Sequence, residues 1–351
     1  MSWGRYRSFA AVIATALALG ACGSSSSTTS GSTASSSGTA SSPTTGSTSS
    51  AAAPTPAASV PPSAEKPTLS QFPAPKGRTL AQLAKVVAGS VQFGAATGTF
   101  TPGTRRLAFA LNSSSGAFLY APTAVYLATG PNAKDVQGPF LAPADPMSVA
   151  PRYRSKQNAG PGGIQAIYGA QVRLPHAGTF AVLTLSATAK GLIGAPGEVA
   201  VGATSPIPDA GQRPPAIATD TAATVHGNVA LLTTRLPAES MHAVSLNQVL
   251  GKRPVALIFS TPQLCTSRVC GPVTDIAVSL QKEFAGRIDF IHEEVYVDNQ
   301  PSKGLRAQMK AFHLQTEPWL FAINRHGVIV TRLEGAFGVN ELRAALEAAL
   351  R

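Results

Sequence analysis

Two cysteines, Cys265 and Cys270, are the residues of this chain whose type and spacing most directly suggest chemistry. They follow an apolar, β-prone run at residues 255–259, which predicts a strand buried on both faces. Beyond them, apolar residues from Val273 to Phe284 recur at helical spacing. Because backbone N–H groups and the helix dipole stabilise a thiolate at a helix N-terminus, this pattern predicts a redox site.

The separation of the two cysteines limits how their sulfurs can meet. Residues five apart on a helix point about 140° apart and rise about 7.5 Å, whereas a disulfide needs Cα atoms within about 7 Å. Pro272 opposes a helix that begins at Thr266, because proline lacks the N–H such a helix would use. We therefore place Cys265 in a loop and Cys270 at the helix N-terminus, with Arg268 adding positive potential. The lower thiol pKa is predicted for Cys270.

The elements after the cysteines alternate strands and helices. The pattern predicts the order strand, helix, strand, helix, strand, strand, helix, and so a mixed sheet covered by helices. The later elements are a strand at 287–297, a helix from Ser302 to about His313, strands at 319–323 and 328–333 joined by a turn at 324–327, and a helix capped by Asn340.

Residues 241–351 resemble the thioredoxin fold, an α/β architecture. Cys270-Gly271-Pro272 matches the first three residues of that family's Cys-Gly-Pro-Cys motif, and Thr316-Glu317-Pro318 stands where the family has its cis-proline. The resemblance implies thiol-disulfide exchange through Cys265 and Cys270, with no bound cofactor. It also implies substrate contacts at the cis-proline segment, namely at Glu317, Pro318 and Trp319.

The chain departs from the thioredoxin pattern at two positions. Val273 stands in the place of the second motif cysteine, so the candidate partner of Cys270 is Cys265. Ile258 stands where many thioredoxins have a buried Asp. The Cys-x4-Cys spacing also resembles Q-type peroxiredoxins, but Thr261 is four residues before the cysteine instead of three, and the active-site proline is absent.

Two further alternatives stay open. The cysteines could form a structural disulfide in a non-catalytic envelope binding protein, because disulfides persist outside the cytoplasm. A copper chaperone of the Sco type shares the fold, but those proteins use a shorter cysteine spacing plus a histidine, and His242, His292 and His313 match no such motif. We therefore predict no metal ligands, and interpret Glu293 and Glu294 as a solvated strand end.

The N-terminal residues resemble a bacterial lipoprotein signal. Arg5 and Arg7 precede an apolar run that ends in Leu-Gly-Ala-Cys22. The resemblance implies cleavage before Cys22, lipidation of its sulfur and a membrane anchor on the extracytoplasmic side. Residues 23–75 are rich in Ser, Thr, Gly, Ala and Pro, which predicts a disordered tether.

Short β-prone runs between turn residues fill residues 76–205. They predict an all-β sandwich, and the motif at 174–180 resembles the strand entry of immunoglobulin-like modules. The predicted strands are at 106–111, 117–120, 123–128, 164–168, 170–174, 178–188 and 198–202. A proline-rich linker follows at 206–240, with one candidate strand at 229–233.

Positive charge is concentrated in the middle segment. The formal net charge of the chain is +11, and residues 76–205 carry 11 Lys/Arg against 3 Asp/Glu. This excess could favour binding to an anionic envelope surface. The sequence has no basic helix interleaved with aromatic residues, the pattern that would indicate nucleic-acid binding.

The predicted protein is a lipid-anchored thiol-disulfide oxidoreductase acting on exported proteins with thiols or disulfides.

Overall fold

The structure, a computed structural model, describes residues 60–351 except Ala88, Ala159 and Pro161. The predicted signal with Cys22 and residues 23–59 of the predicted tether lie outside the described residues. From residue 60 the chain is packed, since Ala64 and Phe72 are buried. The α-helices are α1 Pro62–Glu65, α2 Leu80–Leu83, α3 Leu246–Val249, α4 Cys270–Glu283, α5 Ala307–Ala311 and α6 Val339–Ala349.

Two sheets make up the β-sandwich. One has the strand order β1-β9-β8-β4-β5 and the other the order β2-β3-β7-β6. The strands are β1 Gly89–Ser90, β2 Gln92–Ala95, β3 Gly103–Asn112, β4 Thr123–Ala128, β5 Gln137–Leu141, β6 Ala144–Pro146, β7 Ala166–Leu174, β8 Gly178–Thr188 and β9 Gly191–Val201.

The two sheets enclose a common apolar core, as the sequence predicts for a sandwich. Phe109 of β3 stacks on Tyr168 of β7 with ring centroids 5.2 Å apart, and Val125 and Phe180 reach the same core from the opposite sheet. Strand β7 shows the expected alternation, because Val172 is buried between exposed neighbours. The immunoglobulin-like topology stays a prediction.

The mixed sheet after the sandwich has the order β11-β10-β12-β13. Its strands are β10 Val255–Phe259, β11 Asp289–Glu293, β12 Trp319–Ile323 and β13 Ile329–Glu334. Strand β10 is parallel to β11 and antiparallel to β12, which is antiparallel to β13. The predicted order of strands and helices in this half of the chain is therefore confirmed.

Both faces of the mixed sheet are covered. On one face Ile258 and Leu320 pack with α4 and α6, and on the other Phe259 and Phe321 pack with α3 and α5. The first of these cores continues into the β-sandwich through Ala108 of β3. The sandwich and the mixed sheet therefore share a core, within one compact unit that includes all described residues.

Three predicted elements are wrong in detail. The helix predicted from Ser302 begins only at Ala307, because Gly304 has φ +77° and breaks the chain into short 3-10 turns. Residues 117–120 form no strand, and the candidate strand at 229–233 is a 3-10 turn closed by a Leu232 N–H to Val229 C=O bond.

The last helix is capped from the β-sandwich instead of from its own sequence. Asp145 of β6 accepts the backbone N–H groups of Asn340 and Glu341 at 2.9 and 2.7 Å. The expected cap, Asn340, lies inside α6. A carboxylate at a helix N-terminus complements the helix dipole, so this contact orients the helix against the sandwich.

Residues 206–240, predicted as a linker, lie against both halves of the compact unit. Asp209 pairs with Arg105 of β3 at 2.8 Å. Arg235 is buried and its Nε donates to Asp275 of α4 at 2.9 Å. Asp275 also accepts the backbone N–H of Ser155 from the sandwich, so three segments meet at this helix.

No described helix is long and apolar enough to cross a membrane.

Candidate functional site

The cysteine loop leaves the buried strand β10 through a tight turn. The backbone N–H of Cys265 donates to Thr261 C=O at 3.1 Å, and the N–H of Arg268 donates to Cys265 C=O at 3.1 Å. Arg268 has φ +58°, so the chain reverses there before α4 begins at Cys270. The placement of Cys265 in the loop and Cys270 at the helix N-terminus is as predicted.

The two sulfurs and a carboxylate come together at this place. Both cysteines are free thiols, and Cys265 Sγ, Cys270 Sγ and a carboxylate oxygen of Glu317 all lie within 4.8 Å of one another. Cys265 is 7% exposed and Cys270 is fully buried. The outer sulfur therefore belongs to the loop and the inner one to the helix.

The structure reverses the predicted order of the thiol pKa values. The pKa of Cys265 is lowered to about 5. The largest cause is the hydrogen bond that the neighbouring Cys270 thiol donates to the Cys265 sulfur. Together with hydrogen bonds from Ser267 and from the backbone N–H groups of Val269 and Cys270, it outweighs the effect of burial, which would raise the pKa. Burial and the Cys265 sulfur raise the pKa of Cys270 well above its ordinary value. The helix N-terminus thus stabilises the loop sulfur, because its N–H groups point at Cys265 instead of at the sulfur attached to the helix.

The cis-proline segment lies beside the sulfurs. The Glu317–Pro318 peptide bond is cis, and Pro318 C=O accepts the Gly335 N–H at 2.8 Å. Glu317 is half-buried, and burial, then the charge of the Cys265 sulfur, raises its pKa to about 7. Trp319 is fully buried and stacks on Phe321 in the core, and its indole N–H donates to Thr316 Oγ1 at 3.2 Å.

Sequence reasoning missed two residues of the site. Ser267 Oγ lies 3.1 Å from Cys265 Sγ. Tyr296 lies close to the two sulfurs and Glu317. Burial is the largest cause that raises the pKa of Tyr296, and the charges of Glu317 and of the two sulfurs raise it further. Ser267 could have been found because it lies inside the Cys-x4-Cys segment, whereas nothing in the sequence around Tyr296 indicates a role.

A buried network of acids and histidines lies behind the site. Glu239 Oε1 is 2.7 Å from both His242 Nε2 and His292 Nδ1. His292 Nε2 is 2.8 Å from Ser260 Oγ, which is 2.8 Å from Thr274 Oγ1. Thr274 in turn donates to the backbone C=O of Cys270 at 2.8 Å. The network therefore ends on the backbone of the inner cysteine.

The interpretation of Glu293 and Glu294 as a solvated strand end is wrong. They are 1% and 0% exposed. Glu293 accepts the Asp220 N–H at 2.9 Å, and Glu294 accepts from the Thr234 N–H and hydroxyl at 2.7 Å. Burial, and then the Asp220 charge, raises the pKa of Glu293 to about 8. Both acids face the segment at 218–240 that folds over β11.

Two sets of described residues have ligand types at metal-compatible spacing. They are Glu239, His242 and His292, and Cys265, Cys270 and Glu317. In the first set one nitrogen of each histidine ring lies 2.7 Å from the same Glu239 oxygen, and the buried Nδ1 of His242 has no hydrogen-bond partner among the described residues. In the second set the two thiols are donors of the kind that soft metals such as Cu(I) prefer.

A cleft of about 840 Å³ opens next to the cysteine loop. Its walls come from the loop, from the cis-proline segment and from the β-sandwich. Ser267 and Glu317, which lie next to Cys265, both line it. The cleft therefore reaches the two residues beside the outer sulfur, although Cys265 itself does not line it.

No protein-family model matches the chain, and no curated protein matches it. Among solved structures, the chain is similar to one described as a "putative Thiol:disulfide interchange protein DsbE from Chlorobium tepidum". The similarity covers 41% of this chain and 99% of that one, with 16% identity and a TM-score of 0.29. The assignment of the site therefore rests on the geometry of this chain.

Proposed function

We propose that the chain is a thiol-disulfide oxidoreductase that acts on exported proteins through Cys265 and Cys270. One observation carries the proposal: an outer thiol with a pKa of about 5 lies within 4.8 Å of a buried inner thiol with a raised pKa. At neutral pH the outer sulfur is a thiolate, which is the attacking species in exchange. The inner sulfur is a protonated thiol that acts only in the second, resolving step.

In the reductive direction, the Cys265 thiolate attacks one sulfur of a substrate disulfide. The substrate S–S bond breaks, a mixed disulfide forms at Cys265 Sγ, and the other substrate sulfur leaves as a thiolate and takes up a proton. Cys270 then gives up its proton, for which Glu317 is the nearby acceptor, and attacks Cys265 Sγ. The second substrate thiolate leaves, the substrate has gained two electrons, and the two cysteines are joined. Oxidation of a substrate runs through the same steps in reverse.

The proposal is tested by single substitutions in the full-length protein. Cys265→Ser should abolish exchange with a disulfide substrate, whereas Cys270→Ser should accumulate the mixed disulfide, visible by mass spectrometry. Cys22→Ser is the matched control and should retain exchange. The reduction potential of the pair should lie above about −300 mV. A lower potential, with no exchange by the wild type, would leave a structural disulfide in a non-catalytic protein.

Copper(I) binding is the second candidate function, because two reduced thiols and a carboxylate lie within 4.8 Å of one another. A chelator-competition titration of the reduced protein tests it. Stoichiometric copper(I) binding that is lost in both single-cysteine variants, together with no disulfide exchange, would favour this candidate. Nothing in the site specifically favours peroxide reduction.

Attachment to the membrane is part of the proposal and is supported by the Leu-Gly-Ala-Cys22 sequence. The excess of basic residues at 76–205 would add affinity for an anionic envelope surface. Cys22→Ser should move the protein from the membrane fraction to the soluble fraction, and incorporation of a labelled fatty acid should stop. Retention in the membrane fraction without the label would contradict lipidation at Cys22.

A further inference from the structure

The cleft beside the cysteine loop has a second wall that the thioredoxin resemblance does not supply. On one side are Arg268, Glu317 and Pro318, and on the other are Gly94 and Ala110 of the β-sandwich together with Phe118. The two sides belong to one compact unit with a shared core. The β-sandwich is thus packed against the part of the chain that carries the reactive sulfur.

The wall from the sandwich is made of small and apolar residues. Gly94 and Ala95 are exposed on it, and Ala110 and Phe118 are partly buried against the shared core. Among the residues lining the cleft, the charged ones are Arg268, Glu317 and Glu334. Their small number means that a charged occupant would lose its hydration without gaining matched partners.

One of those three charges is already used within the protein. The carboxylate of Glu334 accepts the backbone N–H groups of Gly98 and Thr99, each at 3.0 Å. Burial raises the pKa of Glu317 to about 7, which leaves it only partly charged near neutral pH. Arg268 is the remaining charged residue and is exposed at the rim of the cysteine loop. The sandwich wall of the cleft therefore offers no charged partner and favours an uncharged occupant.

The backbone along both walls is available for pairing. Strand β2 is an edge strand, hydrogen-bonded to β3 alone within its sheet. The Ala96 N–H is taken by Ala108 C=O, so by strand alternation the N–H and C=O of Ala95 face the free edge. Among the described residues, the backbone groups of Thr316 and Glu317 accept or donate no hydrogen bond. Exposed edges of this kind bind extended peptides by strand addition.

We propose that this cleft is the substrate site and that it takes an extended, uncharged, apolar polypeptide segment around a cysteine. The proposal rests on the function proposed above and adds that the β-sandwich selects the substrate. A volume of about 840 Å³ exceeds what a cysteine alone would fill and is in the range of sites that hold larger ligands. Unfolded segments of exported proteins have this chemistry, because their apolar residues are not yet buried.

The test fills the cleft from the sandwich side. A Cβ added at Gly94 would meet only Ala110 C=O, at 3.9 Å, so a side chain can begin there without a clash. Because Gly94 lines the cleft, Gly94→Trp is the variant chosen to fill it. Gly89, on strand β1 of the other sheet, has nothing within 4 Å and does not line the cleft. Gly89→Trp is therefore the matched control. Gly94→Ala is a milder second variant, and thermal unfolding of all three checks that they fold.

Exchange is measured with two probes: the homodisulfide of an uncharged apolar cysteine peptide of about eight residues, and hydroxyethyl disulfide. In Gly94→Trp, kcat/KM for the peptide should fall about tenfold more than kcat/KM for hydroxyethyl disulfide, with Gly94→Ala between it and the wild type. Gly89→Trp should leave both values as in the wild type. A peptide with aspartates beside the cysteine should be the poorer substrate.

The outcomes separate this inference from the proposed function. If the wild type exchanges with both probes and Gly94→Trp leaves their ratio unchanged, the sandwich takes no part in recognition and the inference alone fails. A preference for the aspartate peptide would equally overturn it, in favour of an acidic partner at Arg268. If the wild type exchanges with neither probe, the proposed function fails.

Discussion

Arg106 of the β-sandwich holds Glu341 of α6 by both carboxylate oxygens, with its Nε and Nη2 each 2.6 Å from one of them. The same guanidinium donates to the backbone C=O groups of Glu334 and Ala336. Because the two residues are 235 positions apart, this bidentate pair is a long-range tie between the sandwich and the helix that backs the mixed sheet.

Removal of that tie should destabilise the whole compact unit. Arg106→Ala leaves a partly buried carboxylate and two carbonyl groups without their donor, and we expect the free energy of unfolding in urea to fall by about 3 kcal/mol. Arg253, paired with Asp289 and 47% exposed at its side chain, is the control, and Arg253→Ala should cost less than about 1 kcal/mol. Equal losses in the two variants would show that the Arg106 pair is not a special tie.

The Cys265 thiol should titrate near pH 5 in the wild type, since the Cys270 thiol and Ser267 lower its pKa. Cys270→Ala removes the larger donor and should raise the apparent pKa by at least about one unit, the equivalent of one hydrogen bond to a charged group. Ser267→Ala should raise it less. The rate of iodoacetamide alkylation across pH measures each value. A midpoint near 9 in the wild type would contradict the assignment of Cys265 as the attacking thiolate.

The parts of the site that depend on neighbouring residues could be predicted from the sequence. The apolar run before the loop, Pro272 near the start of α4 and the Thr-Glu-Pro318 segment each indicate a local structure, and the structure contains all three. The position of Cys265 in the loop is predictable for the same reason. Local pattern is enough where a single strand, turn or helix start decides the outcome.

The parts of the site and fold that depend on residues distant in the sequence could not be predicted from it. The chain reverses at Arg268, where φ is positive, and this reversal decides which sulfur receives the helix N–H groups. The sequence does not indicate a positive φ at Arg268. The cap of α6 comes from Asp145, 195 residues before Asn340, and His292 meets Glu239 from 53 residues away. Such pairs follow from tertiary packing, so a buried His or Asp looks like any polar residue in the sequence.

The ionisation of Glu317 should add a second pH dependence to the rate of disulfide exchange, besides that of the Cys265 thiol. Burial and the charge of the Cys265 thiolate raise the pKa of Glu317 to about 7 in the reduced protein. In the mixed disulfide Cys265 carries no charge, so burial still holds the pKa of Glu317 above its ordinary value, and if Glu317 accepts the Cys270 proton, the resolving step should accelerate as pH rises through that pKa. Glu317→Gln should remove that limb from the pH profile and slow the step about tenfold or more. The step is measured as decay of the mixed disulfide in a stopped-flow experiment. Glu347→Gln, an exposed position on α6, is the control, and loss of the limb in both variants would rule out a specific role.

The Glu239–His292 pair should make stability fall at alkaline pH. Burial alone would lower the pKa of His292, but the Glu239 carboxylate at 2.7 Å outweighs it and raises that pKa to about 9. A raised pKa means that the folded state binds the proton more tightly, so this stabilisation is complete below pH 6.5 and is lost as pH rises through 9. The loss should reach up to about 3 kcal/mol. The interaction with His292 also lowers the pKa of Glu239. The contribution of Glu239 to the free energy of unfolding is therefore lost as pH falls below 4.5, the ordinary pKa of a glutamate.

Urea unfolding between pH 6 and 10 measures this dependence as a difference between variants, so that other titrating groups cancel. Glu239→Gln removes the negative charge and should flatten the fall relative to the wild type. His326→Gln, on an exposed turn, should keep the full fall. An identical slope in the wild type and in Glu239→Gln would mean that His292 is neutral in the folded protein, and the network behind the cysteines would then carry no ion pair.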